Sequence, residues 1–170
     1  MEHFGRIRAN RPSSIPMQKI TAFAIFSTRR QEEITLLRWD DLEEDRILVR
    51  DMKHPGDKKG NNVYCELPPE AIAIVKSMTR DEERIFPYST DAISASFTRA
   101  CKILGIDDLR FHDLRHEGIS RLFEMGRTIP QVAAVSGHRS WTSLKRYTHI
   151  RQSKDKYDNW KWITLATASC

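Results

Sequence analysis

The sequence predicts an α+β domain, mainly helical, with a small antiparallel β-sheet at one edge. Two observations lead there. Apolar residues recur at helical spacing in several segments that open on Ser, Thr or Asp and close on a glycine, at Gly105, Gly126 and Gly137. Two short runs rich in β-formers, residues 46–50 and 63–67, flank a polar stretch holding Pro55, Gly56 and Gly60, and so read as a hairpin. A chain of 170 residues holds one sizeable domain and buries an ordinary core without disulfides or metal staples. Its three cysteines, Cys65, Cys101 and Cys170, are odd in number and lack CxxC spacing, which argues against a disulfide framework or zinc finger and for a reducing compartment. The first eight residues lack the apolar core of a signal peptide, and the longest apolar run, residues 22–26, is too short to span a bilayer, so the expected location is cytoplasmic. A net charge of +5 and a pI near 9.2 favour an acidic partner without separating DNA from RNA or anionic lipid.

Residues 1–16 are basic and broken by Pro12 and Pro16, a linker or arm that carries no core. From Met17 the spacing of Ile20, Phe23, Ala24, Ile34 and Leu37 predicts helices. Between them Arg30 and Glu33 stand three apart, which taken alone describes a solvated ion pair worth only tenths of a kcal/mol. The hairpin loop holds Lys53, Lys58 and Lys59, three ammonium groups able to reach a phosphate; a solvated basic loop is an equal alternative for the last two. A helix opens at Pro68-Pro69-Glu70 and ends near Thr79, residues 85–87 are extended, and a further helix runs from a cap at Thr90 or Asp91 to Leu104. Asp107-Asp108 precedes the periodic run Leu109, Leu114, Ile119, Leu122 and Phe123, a helix that stops at Gly126. Thr128 caps a short helix with Pro130 in its first turn and Gly137 as terminator. Ser140 caps a third, running over residues 141–147.

The chemistry gathers in residues 109–148. His112 and Arg115 share one helix face, roughly 5 to 6 Å apart at Cβ, close enough for both to grip one phosphate. His138 follows Gly137, and Tyr147 follows Lys145 and Arg146, whose charges favour a phenolate and are candidate DNA contacts. Each residue has a plainer role: Arg115 as a solvated helix charge, Tyr147 as a core aromatic. A zinc site is a further alternative, since His112 and His116 are four apart, with His138 and His149 to complete it. The absence of a glutamate in an HExxH pattern weighs against it, as does the turn of His116 away from the Arg115 side.

Taken together, His112-Asp113-Leu114-Arg115-His116, Ser136-Gly137-His138 and Arg146-Tyr147-Thr148-His149 resemble the tyrosine recombinase (phage integrase) family, over roughly residues 17–149. Arg30 and Glu33 match the family's first catalytic arginine and the acid after it, with Thr28 where a glycine is usual. Lys53 best matches the lysine of its β-hairpin. The resemblance implies a catalytic domain over residues 17–152 that cleaves and rejoins double-stranded DNA through a 3'-phosphotyrosyl link to Tyr147. Arg30 and Arg115 would neutralise the non-bridging oxygens, at roughly 3 to 4 kcal/mol apiece in the transition state. His112 and His138 would add hydrogen bonds or move protons, His112 being the candidate base for a phenol of pKa about 10. Lys53 would protonate the leaving 5'-oxygen. It further implies no cofactor or metal, no membrane or small-molecule substrate, and assembly as a tetramer on DNA. Residues 153–170, with Tyr157, Trp160, Trp162 and Ile163, form a tail that passes to a neighbouring protomer in that assembly and otherwise folds back on its own domain. Since the family usually carries an upstream helical domain, the chain is expected to be the C-terminal part of a longer integrase. A type IB topoisomerase-like enzyme and a catalytically silent DNA-binding module are the alternatives.

Overall fold

The computed structural model describes residues 15–52 and 60–168. The fold is built around α1 (Met17–Ser27), which is buried along nearly its whole surface. Its sequence MQKITAFAIFS is mostly apolar, and even the polar Lys19, Thr21 and Ser27 are buried, as happens when other helices surround one. The periodicity in the sequence marks one face of it only, because no solvated stripe remains to define the period. Around α1 stand α2 (Gln31–Leu36), α3 (Pro69–Lys76), α4 (Thr90–Ile103), α5 (Asp113–Glu124) and α8 (Trp162–Thr167). At the edge, β1 (Arg46–Val49) pairs antiparallel with β2 (Val63–Glu66), in the register Arg46 to Glu66 and Val49 to Val63. Ile47 and Cys65, opposite each other in that register, both point inward and are fully buried. Then α6 (Ile129–Ser136) packs on β2 and α5, and the single turn α7 (Thr142–Lys145) packs on α6.

The cap signals mostly act where the sequence places them. Gln131 accepts the Thr128 backbone N–H at 2.9 Å, closing a capping box on α6. Gly137 ends that helix in the left-handed conformation, φ 72°. At α4 the cap is Ser89, whose Oγ accepts the Ala92 N–H at 3.2 Å, rather than Thr90 or Asp91. Two boundaries move further. The long helix starts at Asp113, four residues later than Leu109, because the Asp113 carboxylate accepts the Arg110 N–H at 2.8 Å and Asp108 sits at φ 58°. Leu109 is solvent-exposed, so its match to the apolar period is accidental, while Phe111 turns inward onto Phe97 at 5.4 Å. The third helix is one turn, and Tyr147 follows it in a run of turns.

Residues 153–168 pack on their own domain. Tyr157 and Trp160 lie 5.7 and 6.0 Å from Phe26, ring centre to ring centre. Beneath them Arg121 is buried, holding Asp155 through two bonds of 2.8 and 2.6 Å and Glu70 through one of 2.6 Å. The buried Lys19 ammonium donates to Ser77 Oγ at 2.6 Å, to its carbonyl at 3.2 Å, and to the Ala168 carbonyl beyond α8.

Helices α1 and α5 approach closely at Gly118 of α5, where an added Cβ would stand 2.1 Å from the Ile25 carbonyl oxygen of α1. Helix propensity and packing therefore make opposite forecasts for Gly118→Ala. Propensity favours alanine by up to about 1 kcal/mol. The clash is with backbone, which cannot swing away, so the variant is expected to lose about 2 kcal/mol or more in urea unfolding. A rise in stability would show that α1 and α5 can separate freely.

Candidate active site

Four separated segments meet beside the C-terminus of α1. Thr28 caps α1 at φ 57°, taking the left-handed turn without a glycine. The turn aims the Thr28 carbonyl at Arg115 and sends Arg29 and Arg30 to either side of Glu33. Glu33 caps α2 through the Arg30 backbone N–H at 3.0 Å and grips the Arg30 guanidinium at 2.7 Å. The same carboxylate lies 3.7 Å from Arg29. It is 5% exposed, so the solvated-pair alternative does not describe it. Burial pushes the Glu33 carboxyl up, but Arg29, Arg115 and Arg30 together hold it below the ordinary value of 4.5.

Arg115 enters from α5. Its guanidinium donates to the Thr28 carbonyl and, at 3.1 Å, to the Ser136 carbonyl, and lies 3.3 and 3.4 Å from the two His138 ring nitrogens. Carbonyl acceptors orient the group without cancelling its charge. Burial, with Arg29 and Arg30 adding repulsion, lowers its pKa to about 9, against the pull of Glu33, leaving it a cation at neutral pH. His138 is placed by the left-handed turn at Gly137 and by Ser136 Oγ, 2.7 Å from its Nδ1. Burial first, then Arg115, Arg30 and Arg29, depress His138 to about 4, so the imidazole is neutral.

Arg29, which sequence spacing does not single out, is the most buried of the three arginines. It donates to Cys65 Sγ at 2.9 Å, to the Ser27 carbonyl at 3.1 Å and to the Val135 carbonyl at 2.5 Å, tying β2 and α6 to the arginine turn. Burial pushes the Cys65 thiol up, with Arg29 opposing. The turn at Gly137 also meets β1's end, where an added Cβ would stand 2.5 Å from Met52 Cε and 3.0 Å from Cys65 Sγ.

Tyr147 occupies a second, smaller core with Ile119, Leu122, Phe123, Val132, Val135 and Leu144. Its ring stacks on Phe123 at 6.0 Å and 8°, and its hydroxyl meets His116 Nδ1.

A model of the phage integrase family matches residues 2–154. The chain belongs to that family. This integrase-family chain is 36% identical over 144 residues to the shufflon-specific DNA recombinase of Escherichia coli, a match covering 83% of this chain and 36% of that protein. It is 25% identical over 154 residues to the integrase of Salmonella phage P22, covering 79% and 39% of the two. The chain thus spans well under half the length of these curated relatives. Its fold is similar to that of a lambda integrase (75–356) dimer bound to a COC' core site, with TM-score 0.64, 21% identity, and 85% and 56% of the two chains covered. It is likewise similar to XerA recombinase, with TM-score 0.59, 21% identity, and 88% and 59% covered.

Of the residues the sequence points to in this integrase-family chain, Arg30, Glu33, Arg115 and His138 are brought together, and Tyr147 sits in the second core within electrostatic reach of Arg115. His112 is exposed, its ring edge-on to His116 at 4.8 Å. His116 does turn away from Arg115, and that turn is what brings it to Tyr147. The expectation that His112 serves the phenol therefore needs correcting, since the imidazole bonded to Tyr147 belongs to His116. The effect of the neighbouring cations is corrected too. Burial raises the Tyr147 pKa, outweighing Arg146 and Arg115, so the phenol is held neutral. Lys145 and Arg146 are exposed, with the Arg146 guanidinium 5.4 Å from the Tyr147 ring centre. Lys53, Lys58 and Lys59 lie outside the described residues. Among the described residues no three His, Cys, Asp or Glu side chains gather to hold a metal ion, and no helix is long and apolar enough to cross a membrane.

A pH prediction follows from His138. Unfolded, it titrates near 6.5; folded, near 4. The unfolded chain binds more protons between these values, so the stabilising contribution is whole above 6.5 and is lost as pH falls toward 4. Unfolding in urea at pH 7 and pH 5 should show wild type losing on the order of 1 kcal/mol more than His138→Asn, a figure reduced for the partial exposure of the ring. Equal losses would place the titration elsewhere.

Proposed function

We propose that this chain is the catalytic part of a site-specific DNA recombinase, which cleaves and rejoins duplex DNA through a 3'-phosphotyrosyl intermediate on Tyr147. One observation carries most of the weight. Arg29, Arg30 and Arg115 bring three positive charges around the single carboxylate of Glu33, a net charge of +2 in a partly dry site beside a phenol. Such an excess is costly unless an anion arrives. A phosphodiester is the anion that this geometry suits, since guanidinium groups present paired donors to its non-bridging oxygens.

In this scheme Arg30 and Arg115 hold the phosphate and offset the charge that grows as the fifth oxygen bonds to phosphorus. Arg115 is already fixed by two carbonyls, so little reorganisation is needed when the transition state forms. Neutral His138, adjacent to Arg115, adds a hydrogen bond. Tyr147 Oη attacks, the 5'-oxygen leaves with a proton from Lys53, and the phosphotyrosyl bond retains the energy needed for rejoining to another 5'-hydroxyl. Lys145 and Arg146 are exposed where the DNA backbone would pass. The family match supports this scheme, as do folds shared with proteins such as a lambda integrase tetramer bound to a Holliday junction, with TM-score 0.61 and 19% identity, covering 89% of this chain and 46% of that one. We extend the proposal to tetrameric assembly on DNA, in which residues 153–170 exchange from their own domain to a neighbouring protomer.

Tyr147→Phe should bind DNA nearly as wild type does and form no covalent adduct with a nicked duplex on a denaturing gel. An adduct in that variant would move the nucleophile elsewhere, with Tyr157 the first suspect. For Lys53→Ala, cleavage of ordinary DNA should slow by about a hundredfold or more, while a 5'-thio leaving group, which needs no proton, should restore most of the rate. Equal loss on both substrates would make Lys53 a positioning residue.

A further inference from the structure

The proton on Tyr147 needs somewhere to go. Burial keeps the phenol neutral, and an un-ionised phenol is a poor nucleophile toward phosphorus. Three contacts define its surroundings. Phe123 fixes the plane of its ring, the Tyr147 backbone N–H is anchored on the Leu144 carbonyl at 3.0 Å, and the hydroxyl shares a hydrogen bond with Nδ1 of His116. With the phenol donating, Nδ1 is the bare nitrogen and the imidazole carries its own proton on Nε2.

We propose that His116, rather than His112, is the base that takes the Tyr147 proton during strand cleavage and returns it during rejoining. This rests on the phosphotyrosyl scheme above. In the forward step the Oη–H bond breaks and its proton moves to Nδ1, giving an imidazolium. The freed Oη pair bonds to phosphorus, and the P–O5' bond breaks with its electrons on O5', which is protonated by the general acid. In rejoining, a 5'-hydroxyl returns its proton to the deprotonated general acid as its oxygen bonds to phosphorus, the P–Oη bond breaks, and the imidazolium protonates the departing Oη, so that both groups are restored.

The charges facing His116 suit a group that must be neutral before the reaction. From α5 it meets His112, Asp113 and Arg115; from the turn after α7 it meets Arg146 and Tyr147. Burial lowers its pKa, His112, Arg146 and Arg115 lower it further, and Asp113 alone pulls upward. The imidazole therefore stands ready to accept at neutral pH. Once protonated, it sits among cations that favour giving the proton back.

The competing role is passive, in which His116 merely aims the phenol. His116→Asn separates the two, because the Asn Oδ1 falls near the place of Nδ1 and accepts the hydrogen bond but cannot hold a proton. The experiment uses the full chain with a pool of labelled nicked duplexes of randomised sequence, reading single-turnover adduct formation from about pH 6 to about pH 10. His116→Asn should form adduct about a hundredfold more slowly than wild type at pH 7, with DNA binding unchanged, and the deficit should shrink toward pH 10 as the phenol ionises unaided. Any deficit in His112→Asn should stay constant with pH. A wild-type rate in His116→Asn, a deficit there equal at every pH, or a deficit in His112→Asn that shrinks toward pH 10 instead would each overturn the proposal. Urea midpoints monitor folding, and His116→Gln provides a second variant if the first is unstable. Tyr147→Phe distinguishes the levels: an adduct there, or none from wild type, overturns the phosphotyrosyl scheme itself and the base with it.

Discussion

Two buried guanidinium groups and a third, part-exposed one can stand side by side here only because one carboxylate lies between them. Glu33 is the shared counter-ion of Arg29, Arg30 and Arg115, and it also caps the helix that begins at Gln31. Removing it would leave three cations in a low-dielectric site with no acid among them, a far larger disturbance than the loss of a surface pair. Much of the surrounding architecture serves this cluster. The Thr28 turn presents a carbonyl to Arg115, α6 contributes the Val135 and Ser136 carbonyls, and β2 contributes Cys65. Neutral acceptors hold the cations in place, so orientation is settled while net charge is preserved for a ligand.

The division of the domain into two cores has a functional sense. The larger core surrounds α1 and supports the arginines, while the smaller one, between α5, α6 and α7, seats Tyr147. The α5 helix belongs to both, with Arg115 directed to the first and His116, one residue later, to the second. A rotation of about 100° per residue along a helix is enough to send neighbours to different sites. The arginine cluster and the Tyr147 hydroxyl are therefore contacted by consecutive residues whose positions relative to each other cannot drift.

Much of this was legible in the residues themselves. The hairpin and the glycine-terminated helices came from period and caps, and the candidates Arg30, Glu33, Arg115, His138 and Tyr147 from the family resemblance that the motifs carry. What was not legible has physical reasons. Arg29 precedes Arg30 without any periodic signal, and only three-dimensional packing reveals that its neighbours are carbonyls and a thiol. Which of His112 and His116 meets the Tyr147 hydroxyl turned on which helix face meets the α7 turn, a tertiary fact. The effect of cations on Tyr147 was misjudged because adjacency in sequence says nothing about burial, which outweighs Arg146 and Arg115. Leu109 matched the apolar rhythm, yet the Asp113 side chain stops the helix before reaching it.

The seat of Met52 against Gly137 has a mechanical consequence. Met52 closes the base of the hairpin loop, its N–H bonded to the Asn61 carbonyl at 2.8 Å and its own carbonyl accepting from Asn61 Nδ2 at 2.7 Å. Its thioether rests on the one residue of the His138 turn that has no side chain. A thioether is soft and unbranched, so the contact behaves as a pivot rather than a weld. The base of the hairpin and the histidine turn are thus coupled through one adaptable side chain. In engineering terms, the bulk at position 52 becomes a setting for how closely Gly137 and β2 approach each other, adjustable without touching any charged group.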